Sequence, residues 1–516
     1  MVKLTFPKEF LNLVCLFLTS GMCITNLSSS FAQLVDPKSY VVIPPESSES
    51  EIISRAAGIV PSERQLRWQR LELTAFLHFG VNTFTNREWG DGKEDPAIFN
   101  PSELDARQWV RTCKEAGFKQ VILTAKHHDG FCLWPSKYTE HSVKSSPWRA
   151  GKGDVVKEVA DACHEYGIGF GVYLSPWDRN NELFGTDAYN DYFVNQLTEL
   201  LSGYGRVDEV WFDGANGEGP EGKKQVYDFN RWYSLIRKLQ PSAVIAVMGP
   251  DVRWVGTESG YGRETEWSVV PGDELVQGKV AASSQKEAGF APMNMMDDDL
   301  GSRSKILKAK SLVWYPAEID VSIRPGWFYH PEENDKVKSP DKLMDIYFSS
   351  VGRNGVLLLN IPPDKRGLLH DSDVKALQGF RKSLDKAFER NLLTKAVVKA
   401  SGKKINVLTD KNDATSWTPK ASAGTAVIDI KLEEMEEFNM LLLQEDIRKG
   451  QRVEQFSLEY FADGEWKKAT SGTTVGYKRI LRFPIVRADR LRLKIEASRA
   501  KAVIAEAGVF KLKVKS

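Results

Sequence analysis

Strand-like and helical patterns alternate along this chain from about residue 70 to about residue 390. The strand patterns cover residues 73–80, 120–125, 168–174, 207–212, 244–248, 311–315 and 355–359. Amphipathic helical patterns cover residues 102–116, 154–167, 189–201, 226–239, 343–351 and 373–388. Repeated strand–helix units predict a parallel sheet, and this length suits the α/β class as a closed, TIM-like (β/α)8 barrel. A doubly wound open sheet is the alternative, but no G-x-G-x-x-G motif follows the first strand.

The chain changes character after about residue 393. Short β-rich segments at 425–430, 439–444, 457–461 and 491–495 are separated by turn residues, which predicts an all-β sandwich. A chain of 516 residues is too long for one core, so two domains are expected. We predict an N-terminal extension over 33–64, a barrel domain over 65–392 and the sandwich over 393–516. Residues 272–300 are predicted to form a long loop over the barrel mouth.

Residues 1–32 are predicted to be an export signal. Lys3 and Lys8 precede an apolar stretch over residues 10–24, and Ser30-Phe31-Ala32 offers small residues for cleavage. The apolar stretch is short for a membrane span, although an uncleaved anchor is the alternative. We therefore expect an exported protein, in the periplasm, at the cell surface or outside the cell. No stable membrane insertion is expected after the signal is removed.

Charge and cysteine content exclude several classes of protein. The 70 basic and 69 acidic residues give a net charge of +1, without a long basic block. No nucleic-acid partner is therefore expected. Cys113, Cys132 and Cys163 would remain after signal removal, and their odd number and wide spacing fit neither a disulfide framework nor a zinc site. Cys113 and Cys163 lie in helical patterns, where we expect small core residues.

Polar side chains end four successive strand patterns. His78 ends the first, His127 and His128 follow the second, Tyr173 lies at the end of the third, and Asp213 follows the fourth. In a barrel of parallel strands, the carboxyl ends of the strands share one face, and that face carries the chemistry. We therefore expect these five side chains to point into one cavity.

Two kinds of chemistry could use this set. Clustered His and Asp side chains could hold a metal ion, which would indicate a metal-dependent hydrolase that chelation inactivates. Against a metal, His78 stands alone on its strand, and adjacent His127 and His128 point in different directions on an extended backbone. Neutral imidazoles that donate and accept hydrogen bonds would instead suit sugar hydroxyls.

A sugar site would need a second carboxyl group beside Asp213. A retaining glycosidase uses one carboxylate as the nucleophile and another carboxyl group to protonate the leaving oxygen. The second group should have a pKa raised by an apolar site or by the neighbouring carboxylate. Glu258 lies in a glycine-flanked turn, where a backbone can approach a ligand closely. The other candidates, all after later strands, are Glu264, Glu266 and Glu318.

Seven segments of the chain resemble the α-L-fucosidases of glycoside hydrolase family 29. They are FLHFG at 76–80, EWG at 88–90, TAKHHDGF at 124–131, YLSPW at 173–177, WFDG at 211–214, VRWVGTESG at 252–260 and PAEIDVSIRPGWF at 316–328. The resemblance runs from about residue 65 to the C-terminus. It is greatest for the branch that includes the plant enzymes and bacterial enzymes with restricted linkage preference.

The resemblance implies a retaining hydrolase of terminal α-L-fucose, with Asp213 as the nucleophile and Glu258 as the acid/base. That branch favours α-1,3- and α-1,4-linked fucose on Lewis-type glycans, which would be the partners. No metal or other cofactor is implied, because two carboxylates carry the reaction. The C-terminal domain resembles galactose-binding-like domains. The implied ligands of the fucose hydroxyls are His78, His127 and His128, and the implied pocket residues are Trp89, Tyr173 and Trp327.

A non-catalytic fucose-binding protein that retains the barrel is the alternative from another functional class. The presence of both carboxylates argues against it. Release of free fucose from fucosylated trisaccharides would separate the two hypotheses.

Overall fold

The computed structural model describes residues 35–272, 297–420 and 424–512. Eight parallel strands lie in one sheet: β1 Leu73–Leu77, β2 Gln120–Lys126, β3 Gly169–Leu174, β4 Glu209–Phe212, β5 Val244–Val247, β6 Arg253–Trp254, β7 Ala317–Ser322 and β8 Val356–Asn360. Their order in the sheet is β5-β4-β3-β2-β1-β8-β7-β6. A parallel bridge between Ala246 and Val252 joins the two edges of the sheet and nearly closes the barrel. The predicted α/β barrel is confirmed.

Among the described residues, six helices of 11 to 17 residues pack apolar side chains into the core that they share with the barrel strands. The helix Val155–Tyr166 begins where the side chain of Asp154 accepts a hydrogen bond from the backbone N–H of Lys157. It ends at Gly167, whose φ of 65° suits a residue without a side chain. The other five are Ala106–Ala116, Asp187–Gly203, Phe229–Leu239, Pro340–Ser350 and Asp371–Ala387.

One predicted barrel strand lies elsewhere. The pattern at 311–315 becomes Ser311–Trp314, which pairs antiparallel with Tyr40–Val42 and with Val269–Pro271 in a separate three-stranded sheet. An apolar run does not reveal which sheet it joins, because pairing depends on distant segments of the chain. The eight-stranded sheet is completed by β6 and β7, which lie outside the predicted strand patterns.

Neither β6 nor β7 has the apolar pattern of a buried strand. β6 has only two residues, too few for a periodicity. β7 is fully buried but alternates apolar residues with Glu318, Asp320 and Ser322. Its polar side chains are buried within the protein, where hydropathy alone would not place them.

The C-terminal part forms an antiparallel all-β domain, as predicted. Its core is built from side chains such as Ile428, Phe438, Leu458 and Leu491. Pairing between the two 20-residue strands is interrupted by register shifts, which bend the sheet. The strands are Val397–Ala400, Lys403–Lys404, Ala426–Glu445, Val453–Ala462, Glu465–Gly472, Arg479–Ser498 and Ile504–Phe510.

The remaining expectations concern the cysteines, membrane spans and two segments of the chain. Cys113 and Cys163 are buried, as expected of core residues; Cys132 is buried as well, and all three are free thiols. No helix within the three described ranges is both long and apolar enough to cross a membrane. The export signal predicted over 1–32 and most of the loop predicted over 272–300 lie outside the described residues.

Candidate active site

The polar residues at the carboxyl ends of β1 to β4 lie together. The rings of His78 and His127 are 5.7 Å apart between centroids, and those of His127 and His128 are 4.2 Å apart. The ring of Tyr173 stacks on His127 at 5.7 Å with an angle of 14° between the planes. Tyr173 also contacts Asp213, so all five strand-end side chains belong to one cluster.

Asp213 is held by two hydrogen-bond donors while part of its side chain stays accessible. The hydroxyl of Tyr173 donates to Oδ2 at 3.0 Å, and the backbone N–H of Ala215 donates to Oδ1 at 2.7 Å. Nε2 of His128 lies 3.9 Å from Oδ2. The Asp213 side chain keeps 27% of its accessible surface. Both oxygens are thus oriented, and the carboxylate can still meet a ligand.

Glu258 lies in the turn after β6, on the exposed side of the same cluster. Gly256 and Gly260 flank it with φ values of 104° and 79°, which only glycine adopts readily. Nε1 of Trp327 donates to Oε2 of Glu258 at 3.2 Å. The residue is exposed overall, yet crowding around its carboxyl group raises the pKa of Glu258 through desolvation. The negative charge of Asp213 raises that pKa further, whereas the Trp327 hydrogen bond lowers it.

The three histidines are buried, and their environment favours the neutral form. Nδ1 of His78 lies 2.8 Å from Oδ1 of Asn360, and Nδ1 of His128 lies 2.7 Å from Oγ of Ser175. Burial lowers the pKa of His78 to about 3 and that of His127 well below its ordinary value. Burial also lowers the pKa of His128, although the charge of Asp213 opposes this shift. Neutral imidazoles can both donate and accept hydrogen bonds.

Aromatic rings surround this polar cluster. Trp89 is 55% exposed and meets His128 edge to face at 5.5 Å, so it stands at the rim. Trp327 packs against His78 at 5.2 Å. Trp211 stacks under Tyr173 at 5.2 Å, and Phe328 lies 5.1 Å from His127. A ligand here would meet hydrogen-bonding groups and apolar ring surface together.

Two residues that the site depends on were not among the predicted site residues. Glu88 accepts hydrogen bonds from the backbone N–H groups of Trp327 at 2.8 Å and Phe328 at 3.1 Å. Asn360 donates to the backbone oxygen of Trp327 at 2.7 Å and lies against His78. Both therefore fix the segment that carries Trp327. Asn360 is a polar residue at the end of β8, so the signal used for β1 to β4 could have found it.

The three competing glutamates have other partners. Glu264 pairs with Arg353 and Arg479, and Glu266 is buried against Arg253 and Arg263. Glu318 is buried inside the barrel, where its Oε2 accepts a hydrogen bond of 2.7 Å from Nε1 of Trp211. Glu258 is the candidate whose pKa responds directly to the charge of Asp213.

A metal centre was the other chemistry considered for the histidines. Within residues 35–272, 297–420 and 424–512, no group of three or more His, Cys, Asp and Glu side chains is arranged to hold a metal ion. In His78 and His128, Nδ1 is already engaged by a neighbouring side chain.

Comparison with known proteins decides the family. The sequence model of the α-L-fucosidase family matches residues 67–387, which is more than half of the chain. This chain belongs to the α-L-fucosidase family. The fucosidase is therefore a glycoside hydrolase, and its barrel carries the family match. A second model, the F5/8 type C domain, matches residues 394–507 of the fucosidase.

Individual relatives cover most of the fucosidase. It is 45% identical over 466 residues to α-L-fucosidase 1 of Arabidopsis thaliana, covering 87% of each chain. A Bacteroides ovatus structure, described as a candidate α-L-fucosidase, is 54% identical with a TM-score of 0.83 and covers 93% of this chain and 78% of its own. A Ruminococcus gnavus family 29 fucosidase in complex with fucose is 31% identical, with a TM-score of 0.77 and coverage of 93% and 98%. These relatives give no support to the non-catalytic alternative.

Proposed function

We propose that this fucosidase is a retaining exo-enzyme in which Asp213 is the nucleophile and Glu258 is the acid/base. One observation carries the proposal: two carboxyl groups of one cluster have different environments. Asp213 is oriented by Tyr173 and Ala215, whereas desolvation and the charge of Asp213 raise the pKa of Glu258. A raised pKa suits the carboxyl group of Glu258 to the role of acid, and an oriented, accessible carboxylate beside it suits the role of nucleophile.

The proposed reaction has two steps. In the first, a carboxylate oxygen of Asp213 attacks the anomeric carbon of fucose while Glu258 gives its proton to the glycosidic oxygen, which leaves as an alcohol. In the second, Glu258 takes a proton from water, and the water oxygen displaces Asp213 from the anomeric carbon. Fucose leaves with its original configuration, and both carboxyl groups return to their starting states.

The pocket described above suits a deoxy sugar. Fucose has hydroxyls on several carbons and a methyl group, so it needs hydrogen-bonding groups on one side and apolar surface on the other. We assign the hydroxyl contacts to His78, His127 and His128, which favour the neutral form. Trp89, Tyr173 and Trp327 are the proposed ring surfaces. The fucose complex of the Ruminococcus gnavus relative supports a fucose-binding barrel.

We further propose that the substrates are glycans with terminal α-1,3- or α-1,4-linked fucose, including Lewis-type oligosaccharides. This preference rests on the resemblance of the seven sequence segments to the branch with restricted linkage. A panel of α-1,2-, α-1,3-, α-1,4- and α-1,6-linked fucosides tests it. Equal rates on all four linkages would reject the preference and leave the fucosidase assignment intact.

We also propose that the protein is exported, to the periplasm, the cell surface or the medium. Support comes from Lys3, Lys8 and the apolar stretch over residues 10–24. Fractionation of cells that produce the full chain, followed by N-terminal sequencing of the mature protein, tests this proposal. Retention of Met1 on a protein confined to the cytoplasm would reject it.

Two variants test the catalytic roles. Asp213→Asn should abolish release of fucose from every substrate without changing the melting temperature. Glu258→Ala should reduce kcat/KM on natural glycans by roughly 10²- to 10⁴-fold and spare kcat/KM on an aryl fucoside with a good leaving group. Its kcat on the aryl fucoside should fall, because the second step still needs a base, and added azide should raise that kcat, because the small anion fits the space that the carboxylate leaves and attacks the anomeric carbon without a base. A fully active Asp213→Asn variant would reject the nucleophile assignment.

A further inference from the structure

The turn that carries Glu258 is closed at its base by one buried carboxylate. Glu266 accepts hydrogen bonds from Arg253, before the turn, and from Nη1 of Arg263, after the turn, the latter at 3.3 Å. Nη2 of Arg263 also donates to the backbone oxygen of Val255 at 2.9 Å. We call Arg253, Arg263 and Glu266 the Glu266 clasp. Both ends of the Glu258 turn therefore share a single anion.

The Glu266 clasp is built from desolvated charges. The side chains of Arg253 and Glu266 are each 1% exposed, and that of Arg263 is 9% exposed. Removing one partner from a buried ion pair is strongly destabilising, because the remaining charge loses its compensation away from water. The complete clasp should therefore hold the Glu258 turn firmly. Replacing the Glu266 carboxylate by an uncharged group should loosen the turn.

The C-terminal domain holds Glu266 in place. The backbone N–H of Glu266 donates to Oγ1 of Thr474 at 3.1 Å. The backbone oxygen of Glu266 accepts hydrogen bonds from Nε2 of Gln451 at 2.9 Å and, from the barrel domain, Nδ2 of Asn354 at 3.1 Å. Oε1 of Gln451 in turn accepts one of 2.8 Å from the N–H of Ser268. Side chains of the C-terminal domain thus form the hydrogen bonds to the backbone of this segment that a neighbouring strand would form in a sheet.

We infer that Glu266 is a positioning residue for Glu258, and that the C-terminal domain contributes to proton transfer by holding Glu266. The carboxylate of Glu266 pairs with Arg253 and Arg263, and through these two residues it would act on the Glu258 turn. The inference rests on the proposed role of Glu258. A displacement of about 1 Å at a catalytic group can cost roughly 10²-fold in rate, so a loosened clasp should slow the steps that need the Glu258 proton.

Substrates that differ in leaving group separate this effect from general damage. In the full-length protein, Glu266→Gln should lower kcat/KM on a natural fucosyl oligosaccharide roughly 10- to 100-fold, and on an activated aryl fucoside by less than about 3-fold. Azide should not restore the loss, because the Glu258 carboxyl group is still present. Thr474→Val removes the hydroxyl that accepts the hydrogen bond from the backbone N–H of Glu266. It should shift the ratio of the two activities in the same direction.

The matched control is Glu72→Gln. Glu72 also forms a largely buried ion pair with the C-terminal domain, through Nζ of Lys478 at 2.6 Å, and its carboxylate is held by Lys478 and Tyr347 rather than by the arginines of the Glu266 clasp. Glu72→Gln should leave the ratio of the two activities unchanged even if it lowers the melting temperature. This control separates a weakened domain interface from a displaced acid/base.

Three results would decide between the hypotheses. A selective loss in Glu266→Gln and Thr474→Val, but not in Glu72→Gln, supports the inference. An equal loss on both substrates, or no loss, overturns it. If Glu266→Gln does not fold, Thr474→Val decides on the same criteria. Glu258→Ala is measured in parallel: if it lacks the selective loss, the proposed function itself fails, whatever the Glu266 variants do.

Discussion

The hydroxyl of Tyr173 lies 3.0 Å from Oδ2 of Asp213, and the ring of Tyr173 stacks on Trp211 at 5.2 Å. Nε1 of Trp211 in turn donates to the buried carboxyl group of Glu318 at 2.7 Å. A continuous series of contacts therefore runs from the barrel interior to the proposed nucleophile. Residues that never meet the sugar can thus influence how Asp213 is oriented.

Tyr173→Phe should lower kcat/KM by roughly 10- to 100-fold on every fucoside. A hydrogen bond to a charged group is worth about 1.5–3 kcal/mol, and its loss leaves Oδ2 of Asp213 free to rotate away from the anomeric carbon. Steady-state kinetics on an aryl fucoside measure the effect. Tyr204→Phe is the matched control, because Tyr204 donates to Asp154 at the same 3.0 Å away from the active site. Equal losses in both variants would contradict the specific role of Tyr173.

Trp327→Phe should move the alkaline limb of the kcat/KM pH profile to higher pH. The hydrogen bond from Trp327 lowers the pKa of Glu258, so its removal raises that pKa, and the acid stays protonated further into the alkaline range. Trp89→Phe is the control at the rim of the same pocket and should leave the limb in place. An alkaline limb that moves to lower pH in Trp327→Phe would contradict the assignment of Glu258 as the acid.

The buried pair Glu209 and Glu318 should make stability fall with rising pH. Burial raises the pKa of Glu209, and burial together with Glu209 raises the pKa of Glu318 well above its ordinary value. A folded-state pKa above the unfolded value contributes stability that is complete below the unfolded pKa and is lost as pH rises through the folded pKa. The melting temperature should thus fall from about pH 5 towards alkaline pH.

Glu318→Gln should flatten this dependence, since an amide does not titrate. Thermal unfolding of the wild type and the variant across this range measures the difference. Glu264→Gln, which changes a largely exposed carboxylate, serves as the control. A melting temperature that rises with pH in the wild type would contradict the predicted protonation of the pair.

Fucose binding should not depend on protonation of His78 or His127. Burial lowers the pKa of His78 to about 3 and that of His127 well below its usual range, so both stay neutral near physiological pH. Calorimetric titration of the inactive Asp213→Asn/Glu258→Gln double variant, which lacks both proposed catalytic carboxyl groups, with fucose should give the same Kd at about pH 5.5 and about pH 7.5. Proton uptake on binding, seen as a dependence of the enthalpy on the buffer, would contradict this expectation.

The strand-end residues could be predicted from sequence because their signal is local. An apolar run followed by a polar residue marks each of His78, Tyr173 and Asp213, and parallel strands bring such positions to one face. The choice among four glutamates could not be made by spacing. It depends on which glutamates pair with arginines in the fold. Arg353 and Arg479, from distant parts of the chain, pair with Glu264, and the nearer Arg253 and Arg263 pair with Glu266.

The same limit explains the errors in the barrel. β7 carries Glu318 and Asp320 among its buried residues, so its hydropathy does not resemble that of its neighbours. Ser311–Trp314 has the apolar pattern but pairs with Tyr40–Val42, more than two hundred residues earlier in the chain. Local patterns identify a strand, whereas its neighbours are set by the whole fold.

The junction between β5 and β6 is secured by residues that precede the barrel. Asp251 lies between these strands. Its Oδ1 accepts a hydrogen bond of 2.9 Å from Nε of Arg64, and its backbone oxygen accepts one of 2.8 Å from Nε2 of Gln65. Ser62 caps the short helix that presents both side chains. Shortened forms of the enzyme, for crystallisation or for use as a reagent, should therefore start upstream of Ser62. A chain that starts later would lose the hydrogen bonds that hold the segment between β5 and β6.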